Sequence, residues 1–189
     1  MSPSDTPWQS ADMARTAIPT AARDWLLDPD SLTAKLKRHC QTFRVQLLRQ
    51  QDAPVTTDEA RWLGNPPATT VREVILWCDE QPWVFARSVF AHADPDGQLQ
   101  LDRLGTRPLG EHLFSQPDLQ RSAIEVAAFE PDTPVGELHQ QLGFSSQQLW
   151  GRRSCFTAAG QAILVAEVFI GATPFYQEIA HAPFRDHTL

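Results

Sequence analysis

Six stretches of this chain carry the hydrophobic pattern of β-strands, and turn-forming residues bound each of them. Residues 43–49 set Phe43, Val45 and Leu47 against polar partners, the alternation of a strand with one wet face. Residues 71–78 and 83–90 are nearly continuous apolar runs. They are joined by Asp79-Glu80-Gln81-Pro82, which reads as a hairpin. Residues 124–129 make a shorter strand. Residues 149–157 and 162–170 form the clearest pair, joined by Ala158-Ala159-Gly160-Gln161. Between the strands lie short helical signals. Residues 24–27 make a helical turn, and Asp30 or Ser31 caps a helix that runs to Cys40 with Leu32 and Leu36 on one face. Pro108 opens a helix through Leu109, Leu113 and Phe114, and residues 135–142 form another. Residues 51–68 contain Pro54, Gly64, Pro66 and Pro67 and read as loop. The hairpin spacing makes the sheet antiparallel. The expected architecture is α+β, a single domain with a six-stranded antiparallel sheet and helices packed on it.

Two of these strands hold charged residues where the pattern expects none. Glu167 lies in Ala162-Ile163-Leu164-Val165-Ala166-Glu167-Val168-Phe169-Ile170, and Arg72 and Glu73 lie in the 71–78 run. A strand apolar on both faces is buried on both sides, so Glu167 has no easy route to water. An isolated buried carboxylate costs several kcal/mol or more unless it is paired or protonated. Such a residue serves either an internal ion pair or a ligand.

Length and charge narrow the choices. The chain has 189 residues, enough for one substantial core, and a net charge of −7. That balance argues against nucleic acid as a partner, which needs a basic face. No apolar run reaches the length of a membrane-spanning helix. Residues 1–19 are rich in Pro, Ser and Thr and read as a flexible lead-in without a signal sequence, residues 20–176 as the domain, and residues 177–189 as a C-terminal extension. The three cysteines, Cys40, Cys78 and Cys155, are odd in number and far apart, so neither a disulfide framework nor a zinc site is expected. Each sits beside apolar residues as a small buried hydrophobe, which favours a reducing cytoplasm. A compact acidic domain is expected to be a monomer.

Several segments together resemble the chorismate pyruvate-lyase family. They are Leu149-Trp150-Gly151-Arg152-Arg153-Ser154 followed by Leu164-Val165-Ala166-Glu167-Val168-Phe169, Val71-Arg72-Glu73-Val74 with Pro82-Trp83, Leu104-Gly105-Thr106-Arg107-Pro108-Leu109-Gly110, and Asp24-Trp25-Leu26-Leu27 before Ser31-Leu32-Thr33. The resemblance runs colinearly over about residues 20–176. It implies a ligand enclosed under helical flaps. It also implies elimination of pyruvate from chorismate to give 4-hydroxybenzoate, the entry step of bacterial ubiquinone synthesis, without a metal or organic cofactor. Carried over by position, Arg72 would hold the ring carboxylate and Glu167 would face the ring hydroxyl. The backbone amides of Leu109 and Leu32 would help to hold the carboxylate. Leu32 stands where methionine is expected, a mild departure because an N–H does not depend on its side chain.

The residues also admit plainer readings. Arg72 at a strand edge could reach solvent or pair with a neighbouring acid, and Glu167 could form a structural ion pair with Arg72 or Arg153. Arg152 and Arg153 could be a second anion site for the pyruvyl carboxylate, or ordinary salt bridges at a strand start. Trp77, Trp83 and Trp150 fit a core, and the six histidines show no metal-ligand spacing. The competing function is a non-catalytic, effector-sensing domain of the same fold that binds a small aromatic acid.

Overall fold

The computed structural model describes residues 8–92 and 99–181. It is built on one antiparallel sheet. Its strands are β1 (Gln9–Ser10), β2 (Phe43–Asp52), β3 (Thr69–Cys78), β4 (Gln81–Ala91), β5 (Gln120–Arg121), β6 (Glu125–Phe129), β7 (Leu149–Ala158) and β8 (Gln161–Phe169). The order across the sheet is β1-β6-β7-β8-β4-β3-β2, and β5 pairs with the far end of β7. The sheet therefore has eight strands, not six. All six expected strands are present, and the additional two, β1 and β5, span two residues each. A two-residue strand has no period to read, which is why the hydrophobic pattern does not reveal it.

Both long hairpins close on two residues in the left-handed region. Asp79 and Glu80 have φ of 46° and 63°, and Ala159 and Gly160 have 48° and 73°. Positive φ at both central positions matches the right-handed twist of the flanking strands. The Asp79 carboxylate accepts the backbone N–H groups of Gln41 and Thr42 at 2.9 and 2.8 Å, tying the start of β2 to this turn. Strand β2 carries one irregularity. Leu47 pairs with Val74 and Arg49 with Glu73, so Leu48 is an extra residue that bulges out of the ladder.

Among the described residues seven α-helices surround the sheet: α1 (Ala11–Ala14), α2 (Thr20–Leu26), α3 (Leu32–His39), α4 (Thr57–Trp62), α5 (Leu109–Phe114), α6 (Pro134–Gln141) and α7 (Pro174–His181). Ser31 caps α3 by accepting the Ala34 N–H. Helix α4 occupies the segment expected to be loop, and a capping box between Thr56 and Glu59 starts it. Of the expected lead-in, residues 1–7 lie outside the described residues. Strand β1 pairs with β6, and Ala14 and Ile18 are buried. Helix α7 crosses the expected 176/177 boundary, and residues 182–189 lie outside the described residues. No described helix is long and apolar enough to cross a membrane.

The cysteine expectation is overturned. Cys40 and Cys78 form a disulfide with Cα atoms 5.3 Å apart, and Cys155 is free and buried. Phe43 is registered opposite Cys78, which brings the end of α3 to the end of β3. Spacing along the chain carries no information about that approach. Cysteine usage therefore gives no argument for a reducing compartment.

The pleat separates two sets of charges. On the face beneath α4, Glu73 accepts from Arg49 Nε at 2.7 Å and from Arg87 Nη1 at 2.9 Å, while Arg87 Nε also donates to Glu59 at 2.9 Å. Beside them Arg153 donates to Glu125 at 2.6 Å and to Asp58 at 2.5 Å. Helix α4 is thus held by ion pairs more than by an apolar stripe. Burial alone would raise the Glu73 pKa, but the hydrogen bonds and charges of Arg49 and Arg87 outweigh it and hold the carboxyl below its ordinary value near 4.5. A depressed carboxyl stabilises the fold above its ordinary pKa and loses that contribution as pH falls through the folded value. Glu73→Gln is expected to cost about 3 kcal/mol at pH 7. The difference from wild type should shrink as pH falls below the carboxyl's ordinary value near 4.5 and through its lowered folded value, read by urea unfolding at each pH. A difference independent of pH would remove Glu73 as an ionised clamp.

Candidate functional site

The opposite face of the sheet supports a pocket. Arg72, Val74 and Leu76 alternate along β3, Ala86 and Ser88 along β4, Val165 and Glu167 along β8, and Arg152 and Phe156 along β7, and all line it. Helices α3 and α5 overhang this floor, contributing Leu32 and Thr33 from one and Leu109, Gly110, Leu113 and Phe114 from the other. The space between sheet and helices measures about 600 Å³, counting the part open to solvent. The hollow has a local cause. Ala86 and Ser88 are short, so the centre of the sheet projects little while its neighbours stand up around it. The two overhanging helices touch closely: a Cβ on Gly110 would lie 2.8 Å from Thr33 Oγ1.

Arg72 and Glu167 sit on either side of that floor. Strand β4 separates them, with Arg72 registered to Ser88 and Glu167 to Ala86. Two strand spacings and a two-residue offset put their Cα atoms about 10 Å apart across the sheet and about 7 Å along it. Arg72 is 2 % exposed. Its Nη1 donates to Gln50 Oε1 at 2.9 Å and its Nη2 to the Arg107 carbonyl at 3.3 Å. Neither acceptor is charged, and Arg72 makes no ion pair with any described residue. Burial lowers its pKa. A guanidinium remains protonated all the same, so the pocket wall holds a cation with no acid partner among the described residues.

Glu167 is half-buried and already has a partner. Arg152 Nε donates to Glu167 Oε2 at 2.7 Å, and Arg152 Nη1 donates to the carbonyls of Trp25 and Asp28 at 2.9 and 2.7 Å. Arg152 is thereby a bracket between the end of α2 and the glutamate. Glu167 Oε1 has no hydrogen-bond partner among the described residues. Of the readings open for Arg152 and Arg153, ion pairing describes both. Adjacent residues on β7 face opposite sides, so Arg153 lies away from the pocket with Asp58 and Glu125. The ion pair considered for Glu167 forms with Arg152, not with Arg72 or Arg153.

Leu32 and Leu109 occupy the first positions of α3 and α5. A first-turn N–H has no acceptor within its own helix, so both are available donors beside the pocket. Trp150 is buried, and Trp77 donates from Nε1 to Gln46 at 2.9 Å; none of Trp77, Trp83 and Trp150 lines the pocket. One pocket residue escapes sequence reading. Arg121, on two-residue β5, lines both this pocket and a shallower outer groove beside α1.

Comparison with known proteins identifies the family of the chain. A family model described as chorismate lyase matches residues 2–180. A protein of Idiomarina loihiensis named "Probable chorismate pyruvate-lyase" is 44 % identical over 159 residues, covering 84 % of this chain and 82 % of that one. One from Pseudomonas aeruginosa with the same name is 40 % identical over 172 residues, covering 89 % and 93 %. Among solved structures, the effector domain of PhnF from Mycobacterium smegmatis superposes with a TM-score of 0.57 at 13 % identity, over 75 % of this chain and 89 % of that one. That likeness is one of fold alone. Matched along nearly its whole length, and by relatives well above a third identical, the chain belongs to the chorismate lyase family.

Proposed function

We propose that the chain is a chorismate pyruvate-lyase that releases pyruvate and 4-hydroxybenzoate, as the entry step of ubiquinone synthesis. The observation that carries the proposal is Arg72, a buried cation facing a pocket and lacking an acid partner among the described residues. An anionic ligand completes such a site. The family and its relatives' names supply which anion.

Chorismate carries a ring carboxylate, a 4-hydroxyl and a 3-enolpyruvyl ether. In the elimination the bond between C3 and the ether oxygen breaks, and its electrons go to the enolpyruvyl fragment. The C4 hydrogen leaves as a proton, its bonding pair closes the aromatic ring, and the enolpyruvyl methylene takes up a proton to become pyruvate. Aromatisation supplies the driving force. The protein's task is to hold the ring in reacting geometry and keep water away. In this reading the Arg72 guanidinium and the N–H groups of Leu32 and Leu109 bind the ring carboxylate. The free Oε1 of Glu167 accepts from the 4-hydroxyl, and Arg152 fixes the rotamer that presents it. Val74, Leu76 and Val165 contact the ring faces. Product leaves slowly because α3 and α5 overhang the pocket, and 4-hydroxybenzoate inhibits. The enzyme acts as a cytoplasmic monomer and needs no metal or organic cofactor.

The direct test mixes purified protein with chorismate in the presence of a metal chelator and follows 4-hydroxybenzoate by chromatography. Equimolar pyruvate and 4-hydroxybenzoate are expected, with turnover slowing as product accumulates. Tight binding of 4-hydroxybenzoate without its formation would point instead to an effector-binding role.

A further inference from the structure

We propose that Arg121 is a second anion-binding residue, which receives the carboxylate of the enolpyruvyl side chain. This inference rests on the lyase reading, since only an unreacted substrate has that group. A dianion bound with one carboxylate on Arg72 must place the other somewhere. The two arginines that the chain offers in sequence are engaged. Arg152 is neutralised by Glu167, and Arg153 lies on the other face of the sheet with two acids. Arg121 differs from both. Its Nε donates to Ser154 Oγ at 3.0 Å and its Nη1 to the Pro29 carbonyl at 2.6 Å, both neutral acceptors. It makes no ion pair with any described residue, and its Nη2 has no acceptor among them.

Position supports the role. Arg121 pairs with Phe156 in the sheet, and its guanidinium carbon lies 5.1 Å from the centre of that ring. Its side chain then runs along the pocket face of β7 to Ser154, two residues from Arg152. Arg152 is registered to Glu167, so the Arg121 guanidinium lies toward the Glu167 end of the pocket. Burial first, and then the positive charge of Arg152, lower the Arg121 pKa, and the Glu167 charge acts on it in the opposite sense. In the proposed pose Glu167 receives the C4 hydroxyl. C3 is bonded to C4, so the ether leaves the ring on that same side. Asp28 and Asp30 are also close enough to act on Arg121. Asp28 is held by Lys35 at 2.9 Å, and Asp30 is exposed at the rim. Arg121 also forms the wall shared with the outer groove, where the pyruvyl fragment can depart.

Arg121→Gln tests the assignment, because its amide nitrogen falls where Nε stood and can still donate to Ser154 but carries no charge. Dissociation constants for chorismate and 4-hydroxybenzoate are measured by calorimetry and competition, together with the Michaelis constant for chorismate. The variant should bind chorismate about 10- to 100-fold more weakly, the loss of one charge-assisted contact, and bind 4-hydroxybenzoate within about threefold of wild type. Arg121→Lys should recover part of the chorismate affinity. Equal weakening of both ligands would show that Arg121 only braces the Pro29 segment and would overturn the proposal, as would no change in either. Should the wild-type protein bind chorismate without converting it, the lyase reading fails, and the ligand split still decides the subsite. Failure of the wild-type protein to bind chorismate overturns both.

Discussion

Replacing Arg72 with Met is expected to raise the Michaelis constant for chorismate by about 100- to 1,000-fold, without lowering the melting temperature. The two halves of this result come from one fact. Arg72 is 2 % exposed, and its hydrogen-bond partners, Gln50 Oε1 and the Arg107 carbonyl, are neutral. A buried charge without a counter-charge destabilises the empty protein by several kcal/mol, and an apolar side chain of similar length relieves that penalty. The substrate suffers the reverse. Its ring carboxylate would enter a pocket with no cation to meet it, a loss of about 3–4 kcal/mol, hence the fold-change. Steady-state kinetics and a thermal melt on the same preparation check both halves. An unchanged Michaelis constant would reject Arg72 as the anchor. A substantial fall in melting temperature would show that its bonds to β2 and the Arg107 loop matter more than its burial cost.

Glu167→Gln should behave differently, lowering kcat by about 100-fold or more with a much smaller effect on substrate binding. The amide keeps the shape and a hydrogen-bond acceptor but loses the charge and the basicity. Here stability should fall as well, by about 3 kcal/mol, because Arg152 is left buried without its acid. The melting temperature therefore drops in this variant and holds in Arg72→Met, a contrast that separates a paired charge from an unpaired one. Kinetics should be run well below the melting transition. Near-normal kcat in a folded Glu167→Gln protein would confine the residue to its ion pair.

The two residues on which these expectations turn were visible in sequence because each breaks an apolar strand. Their shared pocket was not, since it depends on β4 lying between β3 and β8 and on the small side chains of Ala86 and Ser88. The partition of Arg152 and Arg153 follows from simple alternation: once Glu167 faces the ligand, the arginine registered to it does too, and its neighbour cannot. Helix α4 was illegible for a different reason. Its contact face is formed by Asp58 and Glu59 pairing with arginines, so hydropathy shows no stripe. Helix α7 gives no clear signal because it opens at Pro174, and a proline after a strand marks the end of a pattern as readily as the first turn of a helix. Cys40 and Cys78 meet only through the β2–β3 pairing. Arg121 sits on a strand too short to have a period.

The extra residue in β2 has a consequence for how the chain selects its native alignment. Beyond Leu48, Arg49 falls opposite Glu73 and Gln50 opposite Arg72. An uninterrupted ladder continued from Leu47 and Val74 would set Leu48 against Glu73 and Arg49 against Arg72. The clamp carboxylate would lose one of its arginines, and two cations would be forced side by side. Like charges directly opposed across a ladder repel. A single inserted leucine thus penalises the misaligned edge strand electrostatically, well before any substrate is present to reward the correct one.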